Sequence, residues 1–288
     1  MKPYADCGPC ILKWIYERLA DPLTEAERFT VLRNVMSVLS TGFVPSVNLG
    51  ALCNRSLEAV AEFFPASSSV YGEFKVKCNQ AASRLLDRAG EFIQKGKAGS
   101  DRIARACGIA ALGNVAPIGA PSTPFEFSHV EEIIKGKAPL PLMVGDVSDA
   151  ISRARRVLYV ADNAGEIGFD SLVISLLKES GLEVTLVVKE EPFFDDATMK
   201  DASFFGLDRT ADAILSTKAI FVPGEAPEDL ANAFARSDLV ISKGTGNCEA
   251  LKDEGRGKKT IYLLKAKCRP ISEQMAVEVG KFIVKVEK

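Results

Sequence analysis

Two periods of apolar residues divide the chain. In the first half they recur at helical spacing: Ile11, Leu12, Trp14, Ile15 and Leu19, then Phe29, Leu32, Val35, Met36 and Leu39. Thr24, with Glu27 three residues on, predicts a capping-box start for the second run. A third run passes through Leu52, Leu57, Val60 and Phe63 and stops at Phe64-Pro65. A long amphipathic stretch follows over 71–95. The Ala-rich segment 103–112 predicts a buried helix ending at Gly113-Asn114. No sustained two-residue alternation occurs in this half. Pro117, Gly119, Pro121 and Pro124 make the next segment a loop. His129 opens a short helix as a surface or capping residue, and Gly136 to Pro141 is a connection. The pattern changes near Asp149, which places the boundary between a helical domain, 1–149, and a second domain, 150–288.

From Arg156 onward short apolar runs alternate with helical ones. Strands are predicted at 157–161, 182–188, 219–222, 239–242 and 260–266, with a sixth at 282–286, at an edge. Helices are predicted at 167–177, 198–205 and 227–235, the last with Glu228 and Asp229 in its first turn. Such alternation implies an α/β fold: a Rossmann-like, mostly parallel sheet with helices on both faces, preceded by the helical domain.

In a parallel sheet all carboxyl ends lie on one side, where open α/β folds bind ligands. Here each of the polar strand ends adds a group to that side. The first gives Asp162, Asn163 and Glu166, with Gly165 turning the chain. The second ends near Lys189, and its loop offers Asp195 and Asp196. The fourth gives Lys243-Gly244-Thr245-Gly246-Asn247, and the fifth gives Lys265 and Lys267. A carboxylate beside an amide oxygen supplies two hard donors that suit Mg²⁺ or Mn²⁺. The lysines and the backbone N–H groups from Gly244 to Asn247 suit a phosphate. Taken singly, each cluster has a plainer reading. Asp162, Asp195 and Asp196 serve as helix caps or turn residues, and Lys265 faces solvent. Their convergence on one edge favours a site. The segment from Lys243 lacks P-loop spacing, and Gly165 with Gly168 is no dinucleotide fingerprint.

Composition narrows the chemistry. The 288 residues are 47% hydrophobic and 26% charged with a net charge of -2, which argues against broad nucleic-acid or membrane-surface binding. No apolar run reaches the roughly 18 residues of a membrane span, and no signal core opens the chain, so a cytoplasmic location is expected. His129 is the only histidine. That removes multi-histidine metal sites and leaves carboxylates, amides, lysines and thiols. The seven cysteines are scattered and do not form a disulfide framework. Cys7-Gly8-Pro9-Cys10 at a helix start reads as two structural thiols, a redox pair or half of a zinc site. Cys53, Cys78 and Cys107 are candidates to complete the last.

Four segments together resemble the DUF89 (ARMT1-like) family of metal-dependent damage-control phosphatases. They are Asp162-Asn163-Ala164-Gly165-Glu166, Pro192 to Thr198, Lys243 to Glu249 and Leu264 to Cys268. The Cys7-x-x-Cys10 pair and the helical first half are similar to its stand-alone prokaryotic branch. The resemblance covers nearly the whole chain. It implies a divalent metal (Mn²⁺, Co²⁺, Ni²⁺ or Mg²⁺) on Asp162, Asn163 and Asp196, with Asp195 adjoining the last. It places phosphate-binding roles on Lys243, Asn247 and Lys267, with Glu166 and Gly244 at the same edge. Asn114 matches the family's Gly-Asn element. The Ala116-Pro117-Ile118-Gly119 that follows departs from the apolar-Asp sequence of many members.

The expectation is therefore a phosphatase acting on a small phosphorylated metabolite. A metal on Asp162, Asn163 and Asp196 would activate a water, and Lys243 and Lys267 would neutralise charge at phosphorus. A nucleophilic-aspartate mechanism fits less well, because Asn163 and Ala164 follow Asp162 where Asp-x-Asp is needed. Two other readings stay open. One is a non-catalytic module for a phosphorylated ligand or nucleotide, and the other a thiol or zinc protein built on Cys7 and Cys10.

Overall fold

The computed structural model of the protein describes residues 1–254 and 257–288. Helices α1 (Cys7–Leu19), α2 (Glu25–Gly42), α3 (Leu49–Glu58), α4 (Phe64–Gln94), α5 (Gly99–Leu112) and α6 (Ser128–Ile134) come first. Thr24 caps α2 with the capping box that its spacing from Glu27 predicts. The rest of the order is β1 (Leu142–Val144), α7 (Val147–Ser152), β2 (Arg156–Val160), α8 (Glu166–Glu179), β3 (Glu183–Lys189), α9 (Met199–Phe204) and α10 (Leu207–Thr210). It continues with β4 (Ala213–Thr217), α11 (Glu228–Arg236), β5 (Leu239–Lys243), α12 (Gly244–Glu254), β6 (Lys259–Lys265), α13 (Arg269–Met275) and β7 (Phe282–Glu287).

The seven strands lie in the order β1-β7-β6-β5-β2-β3-β4. All neighbours are parallel except β6 and β7. The chain leaves β2 outward to β3 and β4, then returns to β5 on the other side of β2. This reversal opens a crevice at the carboxyl ends of β2 and β5, where ligands bind in such sheets. The Asp162 segment follows one of these strands, and Gly244 follows the other.

Alternate strand residues enter different cores, as the pleat requires. Val157 and Tyr159 of β2 pack with α4, α5 and α8, whereas Leu158 and Val160 pack with Leu230 of α11 and Leu251 of α12. The helical half shares these cores with the sheet. Cys78, Ala82 and Ala89 of α4 lie in the first, and Ile15 of α1 and Leu52 of α3 pack with Tyr262 and Leu264 of β6.

Two expectations are corrected, and one strand was not foreseen. The strand expected at 219–222 lies earlier, at β4. The later residues need no sheet partner, because Asn54 of α3 satisfies Ile220 on both sides: its Nδ2 donates to Ile220 O at 2.9 Å and its Oδ1 accepts from Ile220 N at 3.0 Å. Strand β7 is not at the edge, since β1 covers it with the register Met143↔Val284. Strand β1 itself, three residues long, is too short for a legible alternation.

Candidate functional site

The backbone brings the two acidic segments together. Asn163 and Asp196 form an isolated antiparallel bridge just beyond β2 and β3. Ala164 N donates to Asp195 O and Ala197 N to Asp162 O, each at 2.8 Å. This short ladder sets Asp162, Asn163 and Asp196 on one cavity of about 140 Å³. Asp195 faces the other way, fully buried against the guanidinium of Arg18 from α1. A cationic partner reaching in from the helical half thus separates the roles of the two adjacent aspartates.

Asp162 accepts hydrogen bonds at Oδ2 from Asn114 Nδ2 and from Asn163 Nδ2, both at 2.8 Å. Both amides also donate to Glu166, at 2.9 Å from Asn163 and at 3.1 and 3.2 Å from Asn114. Asn114 Oδ1 accepts from Lys265 N at 3.1 Å. Burial, followed by the charges of Glu166 and Asp196, pushes the Asp162 carboxyl up to about 8. Carboxylates crowded in this way favour a bound cation. The donor set fits a hard divalent ion: two carboxylates and an amide whose nitrogen is already engaged, leaving its oxygen as the free atom. Among the described residues no three His, Cys, Asp or Glu side chains are arranged to hold a metal, so an ion here depends on the amide as third ligand.

Three cations approach the same cavity. Arg18 pairs with Asp195, and Lys189 Nζ lies 3.2 Å from Asp196 Oδ2. Lys267 alone of the three has no ion-pair partner among the described residues, and burial lowers its pKa. Thr245, Gly246 and Asn247, in the first turn of α12, also line the cavity. Asn247 Nδ2 donates to Ala161 O at 3.0 Å and to Lys243 O at 2.9 Å, tying α12 to the end of β2.

Lys243, expected at the phosphate, does not line this cavity. Its side chain is fully buried, and its Nζ lies 2.6 Å from Glu166 Oε1, 2.7 Å from Asp170 Oδ1 and 2.9 Å from Ala110 O. Glu166, Gly244 and Asn114 likewise stand behind the cavity wall rather than on it. Tyr159 OH donates to Asp170 Oδ1 at 2.7 Å, while Asp170 Oδ2 is buried without a partner among the described residues. Tyr159→Phe removes the hydroxyl that donates to this carboxylate. It is expected to cost ~1–3 kcal/mol, read as a lower urea midpoint with an unchanged slope.

Several contributors were not legible in sequence. Asp170 carried a faint signal: it sits four residues after Glu166, on the same face of a helix rich in apolar residues. Asn79 of α4 accepts from Gly165 N at 2.6 Å and donates to Asp201 at 2.8 Å, clamping the turn after β2. Lys75, one turn earlier, pairs with the same Asp201 at 2.7 Å. Neither Asn79 nor Arg18 stands out from its amphipathic helix.

Ile11, Trp14, Phe193 and Ile220 give the same cavity an apolar wall, and Cys7, Cys10, Cys53 and Cys268 line it too. All seven cysteines are free. Burial, then Glu249, pushes the Cys10 thiol up to about 12, which opposes thiolate chemistry.

Comparison with known proteins adds to this geometry. A family model described as the damage-control phosphatase ARMT1-like domain matches residues 4–283. An uncharacterized protein of Methanocaldococcus jannaschii is 29% identical over 288 residues, covering 96% of this chain and 92% of the other. A damage-control phosphatase of Archaeoglobus fulgidus is 31% identical over 220 residues, covering 75% of each chain. Another, of Pyrococcus horikoshii, is 30% identical over 227 residues, covering 76% of this chain and 75% of the other. The crystal structure of a DUF89 family protein of Pyrococcus horikoshii matches over the whole of both chains, with a TM-score of 0.80 at 23% identity. At that identity the likeness speaks to the fold.

Proposed function

Because the chain belongs to the damage-control phosphatase ARMT1-like family, we propose that it is a phosphatase for a small phosphorylated metabolite, with a divalent cation held by Asp162, Asn163 and Asp196. The observation that carries this reading is the convergence of those three side chains on one cavity beside Lys267, a lysine without an ion-pair partner among the described residues. A divalent cation, when bound there, supplies Lewis-acid stabilisation and an activated water for attack at phosphorus.

The chain's own groups do the rest. Lys267 neutralises charge on the phosphoryl oxygens, and the backbone N–H groups at the start of α12 bind them. Lys189 holds Asp196 in place by its ion pair. Lys243 is spent on Glu166 and Asp170, so Lys267 takes the phosphate role expected of both lysines. The apolar wall and a cavity of about 140 Å³ favour a small substrate body and limit water. A module built to bind phosphate alone has no use for two buried carboxyl groups, Asp162 and Asp196, at the same cavity, because ionising either one opposes an anion.

The test is a phosphatase assay on p-nitrophenyl phosphate. Protein stripped with a chelator is expected to be inactive. Activity should return on adding Mn²⁺, Co²⁺, Ni²⁺ or Mg²⁺ singly, with the metal order showing the preferred ion. Full activity after verified metal removal would sink the proposal.

A further inference from the structure

We infer that Lys243 is a positioning residue: through Glu166 it sets the Asn163 amide so that oxygen, not nitrogen, faces the cation. This rests on the metal reading above and adds how the amide ligand is oriented. An amide binds a hard cation only through its oxygen, and a half-turn about the last side-chain bond would present NH₂ instead. Something must hold the productive orientation before the ion arrives.

The geometry identifies what does. Asn163 Nδ2 donates to Asp162 Oδ2 at 2.8 Å and to Glu166 Oε2 at 2.9 Å. Glu166, ion-paired with Lys243, accepts from the amide and offers it no hydrogen, so it does not tolerate the amide oxygen in that place. Both amide hydrogens are used, which leaves Oδ1 as the free polar atom of a side chain that lines the cavity. Glu166 is in turn held by Lys243 Nζ at 2.6 Å and by Asn114 Nδ2. Lys243 is itself fixed by Asp170 and Ala110 O, at 2.7 and 2.9 Å. The pair of Lys243 and Glu166 is buried on both sides, 0% and 1% exposed, so water does not substitute for either partner. The chain runs from Lys243 to Glu166 to Asn163, with Asn114 a second strut from Glu166 to Asp162. Partners of this kind behind a metal ligand typically govern affinity by 10–100-fold.

The experiment measures Mn²⁺ affinity by calorimetry without phosphate, then inorganic phosphate affinity at saturating Mn²⁺. Four proteins are compared with the wild type: Asp162→Ala, Glu166→Gln, Lys243→Met and the double variant Lys243→Met/Glu166→Gln. Glu166→Gln keeps the shape and leaves Lys243 paired with Asp170. The double variant removes one charge of each sign, so both remain testable if Lys243→Met fails to fold. The expected result is Mn²⁺ binding weakened about 10–100-fold in Glu166→Gln and in the double variant. Phosphate affinity at saturating Mn²⁺ stays within about twofold of wild type. Unchanged Mn²⁺ affinity in both variants, with Asp162→Ala abolishing it, would overturn the positioning role and leave the metal reading standing. Lost phosphate affinity with Mn²⁺ affinity intact would also overturn it, by returning Lys243 to a phosphate-binding role. If wild type and Asp162→Ala bind Mn²⁺ alike, the metal reading fails and this inference fails with it.

Discussion

Asp162→Ala is expected to abolish metal-dependent phosphatase activity, by about 10³-fold or more, while leaving the metal-free fold at least as stable as wild type. The first half follows from the carboxylate's place on the cavity that Asn163 and Asp196 also line. Losing a transition-state contribution of about 4 kcal/mol is a thousandfold in rate. The second half follows from electrostatics. Burial and the charges of Glu166 and Asp196 raise the folded pKa of Asp162 above its ordinary 3.8. A carboxylate so raised works against folding at neutral pH, because the unfolded chain ionises it more easily. The two amides that donate to Asp162 keep Glu166 as an acceptor in the variant. Turnover of p-nitrophenyl phosphate and the melting temperature of chelated protein at pH 7 check the two halves. A variant that melts well below wild type would show that Asp162 holds the fold rather than the ion.

Gly244→Ala is expected to damage stability and activity together. Gly244 has φ +75°, where an L side chain costs ~1–2 kcal/mol. An added Cβ would also lie against the Asp162 carboxylate, which would have to leave its place. Misplacing a reacting group by about 1 Å costs on the order of 10²-fold in rate. Gly181→Ala separates the two causes. That glycine has a similar φ of +81° but open space around its Cβ direction. The control should lose stability by a like amount and keep its turnover. Equal activity in the two variants would show that the Asp162 carboxylate tolerates displacement, and the argument for close approach would fail.

Much of the sheet was legible because its signal is local. Val157 to Ala161 and Leu239 to Ile241 are unbroken apolar runs that end abruptly in polar residues, and strands β2 and β5 form over them. The segment 219–222 has a similar pattern and is not a strand: Asn54, 166 positions from Ile220, satisfies both backbone groups of that residue. Sequence pattern registers burial, which these residues share with strands, but not which group completes their hydrogen bonds. Strand β1 failed for the opposite reason, being too short to show a period.

What the sequence by itself determined is which residues stand at the carboxyl edge of the sheet. Strand period and chain direction place Asp162, Asn163, Glu166, Asp195, Asp196, Lys243, Asn247 and Lys267 there without coordinates. Only the tertiary structure decided which of those groups face the cavity and which are spent behind it. Asp195 and Asp196 are adjacent in sequence, yet Arg18, 177 positions from Asp195, takes one and leaves the other for Lys189. Lys243 and Lys267 are alike as strand-end lysines, yet Asp170 and Glu166 neutralise the first and none of the described carboxylates pairs with the second. A side chain's role is set by the partner that reaches it, and in this fold most such partners arrive from distant elements, the helical half among them, through contacts that no local period encodes.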